Sequence, residues 1–236
     1  MDRKRRTQRL TLAAFFVAVQ AVMTVTPVGY LPIGALSITT MHIPVILAGI
    51  LIGPSFGAVM GFVFGLSSML RATFSPGLTS FVFSPFITVG GISGNFSSLL
   101  IVFVPRILLG WLSGKTYRML VDMTGKESLS AMISAGLNTV IHTLLVMGGI
   151  WAFFGAPYAS VLGISEAALG TAIGAVIVSN GIPEAVLAAV VIPALLKALL
   201  PMVKRMGLYE KTEKKEKTTE VEYAVSSDNG CRKHAY

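Results

Sequence analysis

Seven side chains able to bind or react stand in or beside the apolar runs of this sequence: His42, Arg71, Arg106, Asn138, His142, Asn180 and Glu184. A charged residue at the centre of a membrane helix costs at least ~2.5–3.5 kcal/mol, so one found there serves a ligand, an ion pair or a pathway. Arg106 lies about two turns inside the apolar run that begins at Leu99. Asn138 and His142 are four residues apart, as are Asn180 and Glu184, which puts each pair on one helix face. Such polar stripes turn toward a bundle interior. By depth, His42 and Arg106 fall in the outer half of a membrane, the two spaced pairs near its midplane and Arg71 at the outer mouth. Together they describe a cavity opening outward. With the histidines neutral, two arginines less one glutamate leave a single positive charge, which favours a small monoanion over a cation. Other readings of the same residues stand beside this one. Arg106 and Glu184 suit an internal ion pair, the histidines suit hydrogen-bonded core positions, and the asparagines suit bonds between helices.

No catalytic residue set emerges. Leu109 to Thr116 reads LGWLSGKT and ends like a phosphate-binding loop, but Leu109 stands where its first glycine is required and no strand precedes it. Gly91 to Gly94 reads GISG, similar to the serine motif of six-span intramembrane proteases. Those need a histidine base on the sixth span, where this chain has none, and an unactivated serine is not a nucleophile. Asn95-Phe96-Ser97 matches a glycosylation sequon, a frequent chance match. Cys231 is the single cysteine, so neither an intramolecular disulfide nor a cysteine metal site can form. No metal and no cofactor is expected, and no enzyme activity.

The elements that must position the seven residues are membrane helices. Of 236 residues 53% are hydrophobic and 13% charged, with a mean hydropathy of +0.74. A span needs about 20 mostly apolar residues, and such runs recur at Leu10–Pro27, Thr39–Ile52, from Pro54 to Leu70, Leu99–Leu120, Leu129–Phe154 and Glu166–Val203. The turn Gly53-Pro54 separates the second from the third. A polar, Pro- and Gly-containing stretch joins Arg71 to Ser98. The expected fold is an all-α membrane protein of six transmembrane helices with both termini cytoplasmic. Of nineteen Lys and Arg, only Arg71 and Arg106 then lie away from the cytoplasmic side, as the positive-inside rule requires. A net charge of +8 arises from these helix ends and forms no basic face interleaved with aromatics, so nucleic acid is not an expected partner. Arg3 to Arg6 are expected to orient a retained first span, because no small-x-small cleavage site follows. Three regions result: a basic N-terminus at 1–9, a transmembrane domain at 10–203 and a charged, disordered tail at 204–236. Gly53, Gly57, Gly61 and Gly65 recur every four residues, and small residues on one face let membrane helices approach closely. Ala14 with Ala18, and Gly170 with Gly174, make similar faces, open to packing within the chain or to a partner.

Over residues 8–203 the chain resembles the substrate-binding S component of energy-coupling-factor (ECF) vitamin transporters. The resemblance rests on the basic start leading into Ala14-x-x-x-Ala18, on TTMHIPVILAGILIGPSFGAVMGFVFGLSS (Thr39 to Ser68), on FVFSPF (Phe81 to Phe86) and on FVPRILLG (Phe103 to Gly110). The HIPV, FVFSPF and FVPRILLG phrases are most similar to the pantothenate-specific group. It implies a multi-pass protein of the bacterial cell membrane that captures a vitamin near the outer surface, beneath loops following the first, third and fifth spans. It also implies delivery inward with a membrane coupling subunit and two ATP-binding subunits, which do the ATP hydrolysis. In this family the Ala-x-x-x-Ala face docks on the coupling subunit, which carries over to Ala14 and Ala18. Pantothenate, a monoanion with an amide and two hydroxyls, suits Arg106 or Arg71 plus Asn138, His142 and Asn180. An S component for another vitamin such as folate, and a stand-alone secondary transporter of a small organic anion, are the alternatives.

Overall fold

In the computed structural model of the chain, residues 3–33 and 36–206 are described. Gly34, Cys231 and the tail beyond Met206 lie outside them. Helix α1 (Arg3–Val25) leads through a 3-10 turn (Pro27–Gly29) into a hairpin of β1 (Tyr30–Ile33) and β2 (Leu36–Thr39). Then follow α2 (His42–Leu51), α3 (Pro54–Phe74), a 3-10 turn (Ser80–Val82) and a second hairpin of β3 (Thr88–Val89) and β4 (Ile92–Ser93). The chain closes with α4 (Phe96–Thr124), α5 (Glu127–Leu162), α6 (Glu166–Val176), a π turn (Ile177–Gly181) and α7 (Ile182–Arg205). The fold is mostly helical rather than purely so. The two hairpins occupy stretches expected to be irregular, where Gly90 and Gly91 have φ of 59° and 80°, the left-handed geometry that a tight hairpin turn demands.

Five helical stretches are long and apolar enough to cross a membrane: Arg6–Val25, α3, α4, α5 and the continuous run Glu166–Arg205. The second expected span, α2, has ten residues and reaches only ~15 Å, half a hydrocarbon core. It is sheltered by protein: nine of its ten residues are buried. It is a separate helix from α3, since Gly53 at φ 137° and Pro54 at the start of α3 force a corner. The basic run from Arg3 continues α1 rather than preceding it. Near its far end α5 departs from helical geometry at Phe154 (φ −130°), where the fifth span was expected to stop. Pro157, three positions on, cannot donate to the carbonyl of Phe153.

The glycine stripe of α3 is an internal seam. A Cβ on Gly57 would strike the carbonyl of Gly110, and one on Gly61 the carbonyl of Arg106. Gly65 faces Phe103, while Gly49 of α2 meets Gly110 and Gly114. Three helices therefore touch backbone to backbone, which maximises dispersion contact where no hydrophobic effect operates between helices. Gly170 and Gly174, by contrast, face open space. Two apolar clusters form the rest of the interior. One gathers α1, α2, α3 and the cytoplasm-directed halves expected for α4, α5 and α7, including Leu109, Ala135 and Ala188. The other joins Phe81 and Val82 to Ile101, Val146, Phe154, Leu169 and Ile173. Arg106 lies between Ile101 and Leu109 on α4, and His142 between Ala135 and Val146 on α5, so the polar layer separates the two clusters.

Replacing Gly61 by Leu should lower thermal stability in detergent, because overpacking a tight contact costs roughly 1–3 kcal/mol. Gly170→Leu, made in open space, should leave the unfolding midpoint unchanged. Equal midpoints for both variants would show that the seam is not a tight contact.

Candidate functional site

Arg106 follows Pro105 inside α4. Proline has no N–H, so the carbonyl four residues back, that of Ile101, loses its helical donor. The Arg106 side chain replaces it: Nη1 donates to the Ile101 oxygen. One local sequence, Pro-Arg, both opens the acceptor and supplies the cation that fills it. Arg106 is 6% exposed. Its carbon lies 5.6 Å from the ring centre of Phe64 and 5.2 Å from that of Phe83, two aromatic faces that attract a desolvated cation.

Phe83 reaches this position because the loop carrying it is tied down. Ser98 Oγ donates to the carbonyl of Phe81 at 2.8 Å, Thr73 and Ser84 hydroxyls meet at 2.8 Å, and Gly77 N–H donates to Ser80 Oγ at 2.8 Å. Asn95 caps α4, accepting from the Ser97 N–H at 2.8 Å, with Ser98 completing a capping box. The sequon-like Asn95-Phe96-Ser97 is thus a helix start.

A cavity of about 260 Å³ opens beside Arg106. Five of the seven anticipated residues line it: His42, Arg71, Arg106, His142 and Glu184. His42 begins α2 and is 2% exposed. Its Nε2, like that of His142, is buried without a hydrogen-bond partner. Buried polar atoms are nearly always satisfied, so two orphans on one cavity wall mark places where a ligand or water bonds. The His142 ring lies 6.2 Å from that of Phe64, tilted by 33°. Glu184 Oε1 accepts the backbone N–H of Thr39 at 2.7 Å, fixing the end of β2 and its hairpin to α7. Arg71 Nη1 donates to the Thr24 carbonyl at 3.4 Å, linking the far ends of α3 and α1 at the mouth. The lining carries two arginines and one glutamate, a net single positive charge.

Asn138 and Asn180 do not belong to this lining. Asn138 is 1% exposed and donates from Nδ2 to the Ser134 carbonyl at 2.7 Å. Ser134 in turn donates to the Ser113 carbonyl at 2.9 Å, so this polar column bonds α5 to α4 beneath the cavity. Asn180 was expected to share a face with Glu184. It sits in the π turn, where the Ile182 N–H bonds to Ile177, five residues back. Asn180 Oδ1 is buried without a partner.

Sequence reasoning missed Phe64, Ser68 and Ser75, which line the cavity with Arg71. Their spacing of four, three and four residues lies on one face of α3 and its extension, a signal that was present. Thr39 at the end of β2, Ser80 in a 3-10 turn and Phe83 just after it carried no periodic signal. Ala14 and Ala18 are both exposed, since α1 buries the opposite face through Leu12, Phe16 and Gln20.

Comparison with known proteins follows the same line. The family described as the ECF transporter, substrate-specific component, matches residues 8–196. A pantothenic acid transporter of Lactococcus lactis is 32% identical over 209 residues, covering 83% of this chain and 97% of that protein. A pantothenate transporter of Leuconostoc mesenteroides is 26% identical over 211 residues, covering 86% and 97%. With several apolar membrane-length helices, the chain is a multi-pass protein of the bacterial plasma membrane, and it belongs to the substrate-specific components of ECF transporters.

Proposed function

We propose that this chain captures pantothenate from outside the cell and delivers it inward together with a coupling membrane subunit and two ATP-binding subunits. The observation that carries the reading is Arg106, bonded to the Ile101 carbonyl that Pro105 leaves open and lining one cavity with His42 and His142, whose Nε2 atoms have no partner. A guanidinium meets a carboxylate with two parallel hydrogen bonds, while His42 and His142 offer partners for hydroxyls and an amide. Both similar transporters carry pantothenate in their names. The cavity of about 260 Å³ sits at the small end of ligand pockets, which run from roughly 300 Å³. That suits pantothenate better than a pteridine bearing a glutamate arm.

In the membrane, α2 counts as a sixth, short crossing, and both termini face the cytoplasm. Basic residues at 3–9 and at Lys115, Arg118, Lys126, Lys204 and Arg205 then share one side. Residues 1–9 and 204–236 flank the substrate-binding domain at 10–203. The exposed Ala14 and Ala18 present a flat face on which the coupling subunit docks. Asn138 and Asn180 act through helix packing rather than on the vitamin.

Labelled pantothenate should bind the purified protein without ATP or partners and resist competition by folate, biotin and riboflavin. Displacement by folate at equal concentration would reassign the vitamin. Arg106→Lys keeps the charge but loses the fork, so affinity should fall about 10- to 100-fold, as expected for a charged hydrogen bond of roughly 1.5–3 kcal/mol. Unchanged affinity would make Arg106 purely structural. Replacing both Ala14 and Ala18 by Trp should leave binding intact and abolish uptake in cells expressing the whole transporter. Normal uptake by that variant would move the docking face elsewhere.

A further inference from the structure

A second cavity, about 460 Å³, lies at the opposite end of α3 from the ligand cavity. Its rim carries Arg6 and Arg9, three residues apart on one face of α1. Neither guanidinium meets an acidic side chain among the described residues, and none of the lining residues is acidic. Below the rim the walls turn apolar: Leu10 and Ala13 continue down α1, Phe56 and Val59 down α3. Arg6 to Ala13 spans ~10 Å along the helix axis, so charge and oil are layered in the direction of the membrane normal. The first turn of α3, at Ser55 and Phe56, adds backbone N–H groups that have no acceptor within the helix.

We propose that this groove binds an anionic glycerophospholipid, with its phosphate between Arg6 and Arg9 and an acyl chain along Leu10, Ala13, Phe56 and Val59. Charge complementarity selects an anionic headgroup, and basic pockets between membrane helices are known seats for such lipids. The apolar lower half distinguishes a lipid from free phosphate, which would leave those walls uncovered. Ala14 and Ala18 point about a third of a turn away from the groove, so a lipid there leaves the alanine face open. The small side chain of Ala13 provides the room for the chain, and a larger residue there would close it.

The test is native mass spectrometry of the full-length protein titrated with phosphatidylglycerol and, separately, with phosphatidylcholine of the same chains. The wild type should retain phosphatidylglycerol in clear preference, and millimolar inorganic phosphate should not displace it. The double variant R6Q/R9Q should bind it roughly 30-fold more weakly, at about 1 kcal/mol per basic residue near a membrane surface. Since those arginines also help orient α1, Ala13→Phe provides a variant that keeps every charge, and it should lose phosphatidylglycerol as well. Lys197→Gln, on the exposed side of α7, should bind as the wild type does. Equal retention of the two lipids, full affinity in both groove variants, or displacement by phosphate alone would each overturn the proposal. The first of these would leave a groove that takes lipid without regard to headgroup charge.

Discussion

The hydrogen bond that Pro105 removes from the continuous helix α4 is the constraint around which the Arg106 cavity is built. A carbonyl without its donor at membrane depth costs of order 1–3 kcal/mol, and a guanidinium there costs at least as much. Placed in adjacent residues, the two liabilities offset each other, because Arg106 donates to Ile101 across one turn. The bond also removes rotamer freedom from a long side chain, so a ligand need not do so on binding. Phe64 and Phe83 then flank the guanidinium from another helix and from a loop.

That arrangement depends on how closely α3 can approach α4. Gly61 lies against the Arg106 carbonyl itself, so the same residue that anchors the site is part of the seam that positions it. Gly49, Gly57, Gly110 and Gly114 extend the contact to α2, whose first residue is His42. Packing and recognition are therefore coupled through backbone geometry rather than through a separate set of side chains. On the far wall Glu184, in the first turn of α7 just after the π turn, lines the cavity and grips the Thr39 N–H.

The chain's two ends serve different chemistry. At one end a small, singly positive cavity is closed by Thr39 at the end of β2 and by Ser80 and Phe83 of the tied loop. Along its length α1 is largely exposed, burying Leu12, Phe16 and Gln20 among its described side chains. Ala14 and Ala18 lie on the exposed side of this helix. The polar column through Ser113, Ser134 and Asn138 bonds α5 to α4.

Composition and charge by themselves determined a membrane protein of several helices, because only a helix satisfies its own backbone in hydrocarbon and because basic residues collect at helix ends. They also pointed to Arg106, His42, His142, Glu184 and Arg71, since an ionisable residue in an apolar run is conspicuous at any resolution of the pattern. The tertiary structure decided which polar residues meet. Asn138 and Asn180 carry the same signal as their neighbours, yet neither lines the cavity, Asn138 lying one turn down α5 and bonded to Ser134. Thr39, Ser80 and Phe83 enter it from a strand end, a 3-10 turn and the residue after it, where side-chain direction follows from hairpin and turn hydrogen bonds. Sequence periodicity reports the face of an ideal helix. Which helix faces meet, as at the glycine seam of α2, α3 and α4, and which turn residues close on them are long-range outcomes that only the packed molecule decides.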